Sequence, residues 1–166
     1  MSKVTDKEKR MLLVIILIIV ISFIVAILFN TYGGARGVVV KYASGMKNSD
    51  SEKIVSIFHE SMILESYDNE KEMIEYFDST FKEMEDEFYI IKKYKINDDY
   101  KQYEKEEIDK IAKELNDYYK INENVLTEVR RYKVSFGMLN DGEEETSEMK
   151  IVVGKIKGKW YFIAAE

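Results

Sequence analysis

The chain has no cysteine and no proline, a single histidine and a single tryptophan among 166 residues. Without cysteine there is no disulfide framework, no thiolate metal site and no thiol-linked lipid anchor. Without proline, breaks between elements must rest on Gly, Asn, Asp and Ser. One histidine, His59, leaves a zinc site nothing but carboxylates to draw on. The His59-Glu60 pair opens like a zinc-protease motif, but position 63 is Ile, so the second histidine is missing. The same scarcity denies a Ser-His-Asp set any choice of base, and the plain reading of His59 is a surface or packed helix residue.

What is present in excess is apolar sequence at one end. Met11 to Phe29 reads MLLVIILIIVISFIVAILF, free of charge. At about 1.5 Å per residue, such a helix spans roughly the 30 Å hydrocarbon core of a bilayer. The run is longer than the roughly 7 to 15 apolar residues of a signal peptide, for which Gly33 and Ala35 would be the cleavage-site residues. An uncleaved anchor is therefore expected, with the bilayer as partner through Met11 to Phe29. Lys3, Lys7, Lys9 and Arg10 precede the run, and Arg36 and Lys41 are the first cations after it. That asymmetry places residues 1–10 in the cytoplasm and the C-terminal domain outside. Residues 30–37 (NTYGGARG) read as a flexible linker, and 38–166 as the outer domain.

The charge divides at the same point. The first ten residues carry four basic and two acidic groups, so the part beyond the apolar run holds the remaining 21 basic and 29 acidic ones, net −8. An acidic domain is a poor match for nucleic acid and, by the same logic, should not be drawn to anionic lipid or an anionic cell-wall polymer.

In the outer domain, Val39, Tyr42, Ala43 and Met46 fall at helical spacing, and Gly45 with Lys47-Asn48-Ser49-Asp50 ends that helix. Ser49 and Glu52 stand in capping-box register, so a second helix should start at Asp50 or Ser51 and bury Ile54, Phe58 and Met62. Asn69 and Glu72 open a third, with Met73, Phe77, Phe81, Met84 and Phe88 along one face. A Met/Phe stripe at this spacing is a core face rather than a cofactor box. Tyr89 to Ile96 reads as a strand, and Lys105 to Tyr119 as a helix burying Ile108, Ile111, Ala112, Leu115 and Tyr119. Tyr132, Val134, Phe136 and Met138 then alternate with polar residues or glycine, and Met149, Ile151 and Val153 repeat the two-residue spacing. Asn140-Asp141-Gly142 supplies the turn between them, and the acidic Asp141–Glu145 run reads as a solvated hairpin tip rather than a calcium loop. Lys157-Gly158-Lys159 turns the chain into Trp160-Tyr161-Phe162-Ile163. Helices followed by an antiparallel meander make an α+β domain.

The stretch VVKYASGMKNSDSEKI (Val39 to Ile54), with a late meander ending KGKWYFI, resembles the NTF2-like (cystatin-like) superfamily over roughly Ala35 to Glu166. The resemblance implies a cone in which helices pack on a curved antiparallel sheet and leave a concave pocket or groove, which Tyr42, Phe58, Phe77, Phe136 and Trp160 would line. It also implies no single activity, because members include enzymes, binding modules and membrane-anchored parts of secretion machines. The anchor-plus-domain layout is similar to the VirB8-type subunit of conjugative secretion systems. The Asn-Pro-x-Gly motif of that group is absent here, since the chain has no proline. The expected function is a non-catalytic, membrane-tethered interaction module without cofactor or metal, docking a protein or a second copy of itself. The alternatives are a small-ligand receptor or sensor using the pocket, and an enzyme pairing a buried carboxylate with a tyrosine hydroxyl.

Overall fold

A computed structural model describes residues 18–21, 33–87, 89–140 and 142–166. Ile18 to Ile21 are helical; the remainder of the expected Met11–Phe29 span lies outside the described residues. Among the described residues no helix is long and apolar enough to cross a membrane.

The first helix, α1, spans Gly34–Asn48. It begins within the glycine-rich stretch expected to be a linker: Gly34 to Gly37 form its first turn, and Gly37 N–H donates to Gly33 O at 3.1 Å. Burial explains the difference, because Ala35, Val38, Val39, Tyr42 and Ala43 repeat at helical spacing and are all buried. Gly45 does not end the helix. Ser49 does, in the left-handed conformation (φ 50°), with its N–H donating to Gly45 O.

Helix α2 (Ser51–Val55) is capped by Asp50, whose carboxylate accepts from Lys53 N–H at 3.0 Å. The expected Ser49–Glu52 box does not cap this helix, since Ser49 is occupied in closing α1. The helix expected to carry Ile54, Phe58 and Met62 on one face stops at Val55, and α3 (Glu60–Ser66) starts anew from a His59 cap. Ser51 Oγ reaches across to Asp78 Oδ1 at 2.5 Å, tying α2 to α4 (Glu70–Asp86). Asn69 caps α4 as expected, accepting from Glu72 N–H at 3.1 Å. Met73 and Phe81 are buried; Phe77 and Met84 are half-buried, and Phe88 lies outside the described residues.

Four antiparallel strands follow in the order β1-β2-β3-β4: Ile90–Gln102, Leu126–Asn140, Glu143–Ile156 and Lys159–Ala165. Strand β1 runs six residues beyond the expected Ile96. An irregularity between Ile96 and Tyr100 absorbs the poorly β-forming Asn-Asp-Asp and restores pairing at Tyr100–Tyr132. Helix α5 (Lys105–Tyr119) connects β1 to β2 through a Glu104–Glu107 capping box. The β3–β4 turn is Lys157-Gly158, with φ of 49° and 82°, the two positive values a tight two-residue hairpin requires.

The helices lie on both faces of this sheet. On one face, Val39, Tyr42 and Ala43 of α1 pack against Tyr132, Val134, Phe136, Ile151, Val153 and Phe162. On the other, Ala112 and Leu115 of α5 meet Val129, Val152 and Ile156. A smaller cluster of Val55, Ile63 and Met73 joins α2, α3 and α4. The architecture is thus α+β, helices packed on an antiparallel sheet.

Candidate functional site

Aromatic rings pack between α1 and the last strand of the sheet. Tyr42 stacks on Phe162 with ring centroids 5.1 Å apart, and Phe58 meets the same ring at 4.9 Å. Of the five aromatic residues expected to line one pocket, four lie in or against the main core: Tyr42 and Phe136 within it, Phe58 and Trp160 packed against it. Phe77 packs against the α2–α3–α4 cluster, and Phe58 and Trp160 each border a different surface cleft.

The first cleft, about 430 Å³, opens between α2, α3 and α4. Val55, Phe58, Ile63 and Leu64 give it apolar walls, and Glu60, Asn69 and Glu70 stand at its rim. On the same helices a series of aromatic rings leads from the exposed Tyr76 inward: Tyr67 to Tyr76 at 5.6 Å, Tyr76 to Phe77 at 5.7 Å, Phe77 to the buried Phe81 at 6.2 Å. Leu64 and Tyr76 remain 55% and 54% exposed, well above what burial in a monomer core would leave. Between Glu60 and Glu87 the chain carries eleven acidic residues against two basic ones, net −9. The acidic excess of residues 38–166 is therefore concentrated on this helical pair, and the rest of that stretch is close to neutral.

The second cleft, about 460 Å³, lies where the start of α1 meets the β3–β4 hairpin. Gly34, Gly37 and Lys41 of α1 face Lys155, Lys159 and Trp160 across it. The Arg130 guanidinium sits 4.9 Å from both the Trp160 and Tyr100 rings, and its buried Nε has no hydrogen-bond partner among the described residues. Lys155 donates to Glu128 Oε1 at 2.6 Å. That hydrogen bond, together with the nearby positive charge of Lys155 and Arg130, holds the Glu128 carboxyl below its ordinary range. Glu128 thus offsets one positive charge here. Lys41, Lys157 and Lys159 have no carboxylate partner among the described residues.

His59 serves as the N-cap of α3. Its Nδ1 accepts from Ser61 N–H at 3.2 Å, and its ring meets Tyr161 edge-on at 5.0 Å. Burial pushes its pKa down, and Lys157 and Lys159 push the same way against Glu60. Among the described residues no three His, Asp or Glu side chains group to hold a metal ion, and Ser51 is the buried polar residue. Gly142 to Glu145 are exposed at the β2–β3 tip, with Asp141 outside the described residues.

Comparison with known proteins gives no counterpart: no protein family, no curated protein and no solved structure matches this chain.

Two features of these clefts are not legible in the sequence alone. Histidine is not among the residues that announce a helix cap, so nothing marked His59. For the basic cleft a signal existed in Lys155-x-Lys157-x-Lys159-Trp160, but averaging charge over the whole domain concealed it.

Proposed function

We propose that this chain is a single-pass membrane protein, its N-terminus cytoplasmic and its outer domain an NTF2-like cone, and that it docks a partner protein on the α3–α4 face. The carrying observation is the pairing of the exposed Leu64 and Tyr76, beside a cleft lined by Val55, Phe58 and Ile63, with the domain's acidic excess on the same two helices. Aromatic side chains supply contact area at interfaces, and a charged rim selects by complementarity. The occupant is accordingly an apolar segment flanked by lysine or arginine, with one large side chain seated between Phe58 and Leu64. Tethering to the same bilayer raises the effective concentration, so modest affinity is sufficient. The packing of Tyr42 on Phe162 between α1 and the sheet favours this role over that of a small-ligand receptor.

The test is photo-crosslinking of the full-length protein in native membranes, with probes replacing Leu64, Tyr76 and, as a control on α5, Lys113. Leu64 and Tyr76 should yield one shared adduct, mapped by mass spectrometry to an apolar segment with basic flanks. That adduct should weaken when Glu60, Glu65 and Glu70 are changed to Gln. Equal capture from Lys113, or none from the α3–α4 face, would discard the docking reading.

A further inference from the structure

We infer that the cleft between α1 and the β3–β4 hairpin binds the phosphate of an anionic lipid headgroup, holding the outer domain against the bilayer that anchors it. The inference rests on the reading of Met11–Phe29 as a membrane span, and adds a second, reversible contact to it.

The net charge of the outer domain argues against an anionic surface only if that charge is evenly spread, and it is not. The α3–α4 pair holds the acidic excess. At the hairpin, Lys155, Lys157 and Lys159 gather within five residues, and Lys41 joins Lys155 and Lys159 around the cleft from α1. Lys155 is engaged by Glu128, whereas Lys41, Lys157 and Lys159 have no carboxylate among the described residues. Trp160 supplies the second half of the chemistry. Its indole is an apolar body with one N–H donor, a combination suited to the boundary between headgroups and acyl chains. An ideal Cβ at Gly34 would lie 4.0 Å from Trp160 Nε1, so the glycine leaves the space beside that donor open.

Position selects the lipid over a dissolved phosphate. Only Asn30 to Gly33 separate Phe29, the last residue of the apolar run, from Gly34. Even a fully extended chain would hold Gly34 within about 18 Å of the end of the span. The cleft that Gly34 lines is therefore confined to the headgroup zone and its immediate surroundings, where the local concentration of lipid phosphate far exceeds that of any free ion. Attraction of this kind contributes about a fivefold gain in association per lysine and is screened by salt.

Trp160 is the single tryptophan of the chain, so its fluorescence reports on this cleft alone. The experiment places the full-length protein in nanodiscs of phosphatidylcholine, or of phosphatidylcholine with roughly a third phosphatidylglycerol, a fraction that gives a strongly negative surface. Emission and quenching by lipids brominated near the headgroup are then recorded. In the anionic discs Trp160 should shift to the blue and be quenched more, and about 0.5 M NaCl should reverse both changes. Lys157→Gln combined with Lys159→Gln should weaken the association about 30-fold and abolish the shift; the salt series needs no variant and stands if that pair fails to fold. Identical signals in the two discs, or a response unaffected by salt, would overturn the inference. So would an equal shift produced in neutral discs by inorganic phosphate at matched ionic strength, which would mark a soluble-anion site. Retention of the chain in the discs is scored separately. A chain that does not insert removes the span and this contact together, while one that inserts without responding removes the headgroup contact alone.

Discussion

Tyr42 of α1 and Phe162 of β4 lie face to face, their rings 5.1 Å apart and 15° from parallel. The pair joins the first helix of the domain to its last strand. Phe162 N–H also donates to Ile57 O at 2.9 Å, which fastens the α2–α3 connection to the same strand edge. Helix α1, the α2–α3 connection and β4 thus meet at one residue. Truncation to Ala should leave a cavity that neither the sheet nor α1 can close, at a cost of about 3 to 5 kcal/mol. Phe162→Leu keeps most of the volume and should cost under about 1.5 kcal/mol. Urea denaturation of the full-length protein in detergent, followed at Trp160, separates the two. Equal midpoints for the Ala variant and the parent would show that this stack does not hold α1 to the sheet.

Gly45 yields a second expectation of the same kind but with a different cause. A Cβ there would lie 2.5 Å from Ile54 Cγ1 and 3.2 Å from Asp50 O. Ile54 is fully buried and the Asp50 carbonyl is backbone, so neither can retreat freely. Alanine is normally the better helix former by about 1 kcal/mol. Here overpacking should outweigh that gain and make Gly45→Ala destabilising by about 1 to 3 kcal/mol. A variant as stable as the parent, or more so, in the same denaturation series would mean that α1 and α2 can separate without loss.

The two glycines show what the sequence makes legible and what it does not. Gly45 lies inside a helical pattern, and its reading as a stop signal was reasonable because the actual requirement, close approach of α2, comes from residues that fold back upon it. Gly34 and Gly37 read as linker for the same reason: the helix they begin is held by burial of Ala35, Val38 and Val39 against strand residues about a hundred positions away. By contrast α5 has the bounds expected of it, Lys105–Tyr119, since its amphipathic spacing is a local property. The break between α2 and α3 was hidden because Ile54, Phe58 and Met62 keep helical spacing straight across it. Burial of both sheet faces was signalled by Ile151-Val152-Val153, three consecutive buried residues where one-sided burial would alternate. The basic cleft could be seen only in part, as Lys41 meets Lys155 and Lys159 only once the chain has folded.

His59 provides a pH-dependent test of that local architecture. Its Nδ1 can accept from Ser61 N–H only while that nitrogen is unprotonated, so the cap of α3 requires the neutral ring with its proton on Nε2. Burial, then Lys157, lowers its folded pKa below the ordinary 6.5. The unfolded chain therefore takes up this proton first as pH falls. Stability contributed by the neutral ring is complete above about pH 6.5, declines below it, and is lost as pH drops through the folded value. Protonation would cost the cap and place a third cation beside Lys157 and Lys159, with Glu60 the opposing charge. The change should stay within the roughly 0.5 to 2 kcal/mol attributed to a single cap. His59→Asn replaces the acceptor with one that does not titrate in this range. Denaturation midpoints measured between about pH 7.5 and 5.5 should fall for the parent and change less for His59→Asn. Parallel pH profiles for the two proteins would refute the assignment of His59 as the titrating cap.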